Sequence, residues 1–135
     1  MNRATPWTLQ TFLDDLSGHG EQPALASVAD GTLNLSKPMA RHGARLPFDF
    51  LLNSLATVFG ARAACVVLSG TGADGSIGLK AVKARSGLVI AQDPDEAGYD
   101  GMPRSAIMTG AVDLVLPVAE IPHELVGFAR RPIAD

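Results

Sequence analysis

Residues 63–91 read AACVVLSGTGADGSIGLKAVKARSGLVIA, from Ala63 to Ala91. The run Ala63 to Leu68 is short and apolar on both sides of any alternation, which predicts a buried central strand of a parallel sheet. Ser69 to Gly75 is a glycine-rich turn, and Ile77 to Lys83 continue as a helix that stops near Ser86-Gly87. Leu88 to Ala91 is a second buried strand. Together they form a β-turn-α-turn-β unit, whose strands must run parallel and whose crossover is expected to be right-handed.

The flanking sequence extends the same alternation. Downstream, QDPDEAGYDG (92–101) is a polar acidic loop, Pro103 sits in the first turn of a helix running to Met108, and Gly110 stops it. Val112 to Leu116 is a third apolar strand ended by Pro117, and residues 119–129 make a last helix with Ile121, Leu125 and Phe128 on one face. Upstream, Leu51, Leu52, Leu55, Val58 and Phe59 recur at helical spacing over 48–59, with Pro47 before the helix and Asp49 near its N-terminus. Residues 24–36 read as a β-hairpin around Asp30-Gly31, a favoured two-residue turn. Arg41, His42, Gly43 and Arg45 fall in an exposed loop. Residues 1–23 form an unassigned lead-in, in which Trp7, Phe12, Leu13 and Leu16 fit one face of a short helix. The expected fold class is α/β, with a mainly parallel doubly wound sheet and a small β-hairpin.

Composition sets limits on function. The chain has 135 residues, 47% hydrophobic and 19% charged, which suits one packed domain. Its net charge of -3 and 5% aromatic content argue against a nucleic-acid partner, which calls for a basic excess or stacking rings. The one cysteine, Cys65, closes no internal disulfide, has no partners for a zinc or CxxC site, and fits a cytoplasmic location. The longest strongly apolar stretch is far below the roughly 20 residues of a spanning helix, so membrane insertion is not expected. His19, His42 and His123 have no metal-ligand spacing.

The glycine turn permits more than one chemistry. Gly70-Thr71-Gly72-Ala73-Asp74-Gly75 matches G-x-G-x-x-G between a strand and a helix, with Asp93 just past the next strand, as in a small nucleotide-binding module. Against that, Asp74 lies where a pyrophosphate would rest and would repel it. A second reading makes Asp74 the acid of a Ser-His-Asp triad, displayed at the carboxyl edge of the sheet to orient a histidine. A third has Asp74 capping the helix that begins at Gly75. Ser69 reads as a turn residue bonding nearby backbone, and Ser76 falls inside the helix start, so neither suits a nucleophile elbow.

The stretch VVLSGTGADGSIGLKAVKARSGLVIAQDPDEAGYDGMPRSAIMTGAVDLVLP (66–117) resembles the C-terminal half of the CheB-type protein-glutamate methylesterase domain of bacterial chemotaxis. The turn around Asp74, the strand end Ala91-Gln92-Asp93, the helix start at Gly101-Met102-Pro103-Arg104-Ser105 and the run Gly110-Ala111-Val112-Asp113 all carry the resemblance. ADGTLNLSKP (29–38) and LPFDFLLNSLA (46–56) resemble the family's hairpin and following helix. The form Arg45-Leu46-Pro47-Phe48-Asp49 is most similar to versions fused to a methyltransferase module.

The resemblance implies a partial methylesterase domain over residues 24–130 and a hydrolase of glutamate γ-methyl esters on methylated chemoreceptors. No cofactor or metal is implied. Asp74 matches the triad aspartate, and Thr71 stands where the family's backbone helps form the oxyanion site. The family's serine and histidine come from an N-terminal half that this sequence does not contain. The resemblance therefore implies an incomplete triad, with the missing half or a methyltransferase module as possible partners.

Overall fold

The computed structural model describes residues 25–29, 32–36 and 47–132. The N-terminal helix proposed around Trp7, the Asp30-Gly31 turn, and the loop holding His42 lie outside the described residues, as does His19. The hairpin strands β1 (Leu25–Ala29) and β2 (Thr32–Ser36) pair antiparallel with Ala29 opposite Thr32, the register a two-residue connection demands. The rest is α1 (Pro47–Phe59), β3 (Ala64–Val67), α2 (Ser76–Ala84), β4 (Leu88–Gln92), α3 (Gly101–Met108), β5 (Leu114–Leu116) and α4 (Ile121–Arg130). One 3-10 turn, Gly60–Arg62, follows α1 and another, Val118–Glu120, leads into α4.

The strands β3, β4 and β5 form a parallel sheet in that order. The α/β class and its parallel sheet agree with the sequence reading, but the position of the first strand does not. Among the described residues, β3 pairs only with β4 and is an edge, while β4 is the central strand. Val89, Ile90 and Ala91 are 0% exposed, so β4 is covered on both faces. In β3, only Cys65 and Val67 are buried, Ala64 and Val66 are half-buried, and Leu68 lies beyond the strand and is exposed. A continuous apolar run reports that both faces of a strand are apolar; it carries no information on how many neighbours bond its edges. The third strand is also shorter than expected, because Asp113 turns its carboxylate back to accept the Val89 amide at 2.9 Å and to pair with Lys83 of α2.

The core lies between the sheet and the pair α1 and α2. Leu52, Ala56, Leu79 and Val82 cluster with Cys65, Val67 and Val89. Each of the leucines and valines among them, fully buried, stabilises the fold by about 1.5–3 kcal/mol. The two helices touch at Gly78, where an added Cβ would come 2.5 Å from Leu52 Cβ and 3.2 Å from the Asp49 Cα. Backbone cannot withdraw as a side chain can. Gly78→Ala should therefore push the helices apart and destabilise the chain by about 2–3 kcal/mol, read as an earlier urea midpoint. An unchanged midpoint would show that α1 and α2 do not pack this closely.

Burial pushes the Cys65 thiol up to about 12. A raised thiol pKa adds stability that is fully present below the ordinary thiol value of about 8.5, and that is lost as pH rises towards the folded value. Native chain should resist an aromatic disulfide reagent at pH 8 and react at once in denaturant. Rapid labelling of folded protein would contradict the burial.

Candidate active site at the carboxyl edge of the sheet

The loops that follow the three strands meet at one edge, and hydrogen bonds join them. The Ser69 amide donates to Gln92 Oε1 at 2.8 Å, Gln92 Nε2 donates to Glu96 Oε2 at 3.0 Å, and the same oxygen accepts the Val118 amide at 2.7 Å. This chain runs from the end of β3 across β4 to the turn after β5, with Gln92 buried at its centre. Ser69 Oγ accepts the Tyr99 amide at 2.9 Å and donates to the Tyr99 carbonyl at 3.2 Å. Its hydroxyl is thus a latch between two loops, as a turn serine should be. Ser76 Oγ donates to the Ala73 carbonyl at 3.1 Å and is likewise occupied. The glycine turn is further held by the Gly70 amide donating to Tyr99 O and the Met102 amide donating to Gly70 O, both at 2.9 Å.

Asp74 stands near the end of this turn, half-buried, and its carboxylate reaches across to α1. Oδ2 accepts the Phe48 amide and Oδ1 the Asp49 amide, each at 3.0 Å. Pro47, the first residue of α1, has no amide hydrogen, so Asp74 takes the first two donors that the helix offers. Asp49 answers in the other direction. Its carboxylate, 7% exposed, accepts the Gly78 amide of α2 at 2.7 Å. Each aspartate therefore caps the helix that the other belongs to or precedes.

This corrects the local capping readings of the sequence. Gly75 is the N-cap of α2, with φ +110 and no side-chain cap bond, and Asp74 serves α1 instead. A local cap bonds two or three residues ahead, whereas these bonds span 25–29 residues and exist only because Phe48 packs on Gly75 and Leu52 on Gly78.

The same exchange counts against a nucleotide site. The N-terminus of α2, where a pyrophosphate would bind, already holds the Asp49 carboxylate, and Asp93 Oδ1 is turned to the Asp95 amide at 2.9 Å.

The remaining sequence candidates separate clearly. Thr71 is exposed at the tip of the turn, three residues before Asp74, and no described acceptor takes its backbone amide. His123 is exposed in the first turn of α4, after the turn that follows β5, and makes no hydrogen bond to Asp74. No cluster of potential metal ligands occurs among the described residues. None of their helices is long and apolar enough to cross a membrane. Asp100 and Arg104 pair one turn apart at the start of α3; the hydrogen bond from Arg104 holds the Asp100 carboxyl below its ordinary range, so this exposed pair strengthens α3 above that range and weakens as pH falls. The reciprocal role of Asp49 is a feature that sequence reasoning missed. Its only signal was an aspartate in the first turn of a helix, which every local rule assigns to that same helix.

A family model described as CheB methylesterase matches residues 12–125. The chain belongs to the CheB methylesterase family. It is 45% identical over 111 residues to an uncharacterised 104.1 kDa protein of Rhodobacter capsulatus, a match that covers 82% of this chain and 12% of that protein. It is 42% identical over 94 residues to a protein-glutamate methylesterase/protein-glutamine glutaminase of Pyrococcus abyssi, covering 70% of this chain and 26% of the relative. The solved CheB methylesterase catalytic domain of Thermotoga maritima superposes with a TM-score of 0.63 at 30% identity, over 80% of this chain and 58% of that one. The chain thus spans a minor part of these curated relatives and little more than half of the solved catalytic domain.

Proposed function

We propose that residues 24–130 are the acid-bearing portion of a cytoplasmic protein-glutamate methylesterase acting on methylated chemoreceptors. The observation that carries this reading is the Asp74 carboxylate, fixed at the carboxyl edge of the sheet by two backbone amides. Each carboxylate oxygen accepts one of those amides and keeps further acceptor capacity for an imidazole N–H. In the reaction, a serine oxygen attacks the γ-carbonyl of the methyl ester, a histidine takes the serine proton and passes it to the departing methanol, and water then cleaves the acyl-enzyme to glutamate. Asp74 would hold that histidine in one tautomer and stabilise its imidazolium. The Thr71 amide, exposed on the adjoining turn, is the candidate donor to the oxyanion.

Serine and histidine would come from a complementary segment. A methyltransferase module is a further candidate neighbour, supported by the Arg45-Leu46-Pro47-Phe48-Asp49 form and by the large size of the Rhodobacter capsulatus relative. The test is reconstitution. Fusing this chain to the part of the Thermotoga maritima catalytic domain that it does not match, as the proposed source of serine and histidine, should produce methanol release from methylated chemoreceptor. A folded fusion with no release above background would reject the assignment.

A further inference from the structure

Beyond Val67 the ladder between β3 and β4 changes character. Leu88 N donates to Ala63 O at 2.9 Å, and the pairing continues in register to Val67 opposite Ala91. In a parallel ladder of this register the next amide to face β4 is that of Ser69, and its acceptor would be the Gln92 backbone carbonyl. It donates instead to the Gln92 side chain, to Oε1 at 2.8 Å. A side chain thus takes over from the main chain where the glycine turn begins. Gln92 is buried, and its amide has one workable orientation. Oε1 must face the Ser69 N–H, and Nε2 must face Glu96 Oε2, an oxygen that also accepts the Val118 amide. A flipped amide would set donor against donor and oxygen against carboxylate. Ser69 N is therefore placed from the ends of both β4 and β5. The Gly70 amide, next along, donates to Tyr99 O, and the Gly70 carbonyl accepts the Met102 amide. These bonds pin the backbone up to the peptide whose N–H belongs to Thr71.

We infer that Gln92 is a positioning residue of the candidate site, which with Glu96 sets the Ser69–Gly70 backbone and through it aims the Thr71 amide at the oxyanion. The inference rests on the functional reading above and deepens it by naming what holds the proposed oxyanion donor. A donor stabilises a developing oxyanion well only if it is already aimed before the charge appears. A turn rich in glycine does not hold such an aim unaided, since Gly72 and Gly75 take φ values of +92 and +110 that other residues rarely adopt. The buried Gln92 amide supplies the missing stiffness from the central strand, and Glu96 supplies it from the adjoining loop. Removing an oxyanion donor outright costs on the order of 10²–10³ in kcat, so a donor that is kept but loosened should lose part of that.

Methanol release by the fusion described above, with variants at these two positions, tests this. Gln92→Leu removes both side-chain bonds, and Gln92→Glu sets two carboxylates side by side. Each should lower kcat by more than about tenfold with KM little changed, because the oxyanion contact is made only in the transition state. The double exchange Gln92→Glu with Glu96→Gln keeps an acceptor for the Ser69 amide, an acceptor for the Val118 amide and a donor between the two side chains. It should restore kcat to within a factor of about three of the parent. All rates are read well below the melting temperatures, so a purely structural role would leave kcat per folded molecule unchanged. That outcome, a loss in KM alone, or a folded double exchange that stays slow would each overturn the assignment. If Gln92→Leu does not fold, the comparison of Gln92→Glu with the double exchange decides alone. Amide exchange in the 135-residue chain gives a readout free of activity. Gln92→Leu should speed exchange at Ser69 and Gly70 by more than about tenfold, and no change there would overturn the inference. A parent fusion that releases no methanol while the exchange result holds would fail the functional reading and leave Gln92 as the residue that sets the turn.

Discussion

Asp74→Asn in the reconstituted fusion is expected to lower kcat by a factor on the order of 10⁴. That magnitude is taken from serine proteases, in which the corresponding change leaves the geometry nearly intact but presents the histidine with the wrong tautomer. The local structure makes a similar separation of effects available here. Asparagine keeps one acceptor oxygen, so it can hold either the Phe48 or the Asp49 amide and loses the other bond, a cost of about 1–2 kcal/mol in stability. Assays run well below both melting temperatures would therefore report the chemical loss with little contribution from unfolding. A drop confined to the unfolded fraction would show that Asp74 is a cap and nothing more. A KM change at constant kcat would point instead to substrate binding.

The second large effect concerns Asp49. Asp49→Ala removes the acceptor of the buried Gly78 amide and uncaps α2 in one step. Leaving a buried donor unpaired, together with the loss of a cap, should cost about 2–4 kcal/mol. For a domain of this size that lowers Tm by roughly 10 °C. Asp49→Asn retains an acceptor oxygen and should lose far less. If alanine and asparagine melt alike, the Asp49–Gly78 bond does not support the fold. Because both carboxylates bridge the same junction of α1 and α2, where the Asp49 backbone amide donates to Asp74 and the Asp49 carboxylate accepts from Gly78, the two substitutions loosen one contact and should not add; their double variant should be less damaging than the sum.

How much of this was legible in the sequence differs from element to element. The strand-turn-helix-strand unit from Ala64 to Gln92 follows from short apolar runs broken by glycine, and the structure places each piece within a few residues of its expected position. Ser69 behaved as a turn serine because its bonding range is short and its neighbours are set by the loop itself. What sequence could not show was any relation formed across elements. The edge position of β3 depends on which strands are present beside it, and the apolar pattern of Ala63 to Leu68 is the same in either case. The exchange of caps between Asp49 and Asp74 depends on α1 and α2 meeting at Gly75 and Gly78. Both aspartates were visible as residue types suited to helix starts; their partners were fixed by tertiary packing. Asp74 as a triad member came from resemblance; what the geometry shows is a carboxylate held by the Phe48 and Asp49 amides.

We propose that this sequence carries one member, Asp74, of a three-residue device whose serine and histidine lie on another segment. The most direct test is methanol release from methylated chemoreceptor by the 135-residue polypeptide alone, measured beside its Asp74→Asn variant. With serine and histidine on another segment, as proposed, no acyl-enzyme forms, and an aspartate with no histidine to orient has nothing to contribute. Even an otherwise intact site stripped of triad members retains only about 10³–10⁴-fold over the reaction in water. The expected result is a rate at background for both proteins, with no difference between them. Robust turnover by the unmodified chain that disappears in Asp74→Asn would contradict the account, because the nucleophile and base would then have to lie within these 135 residues.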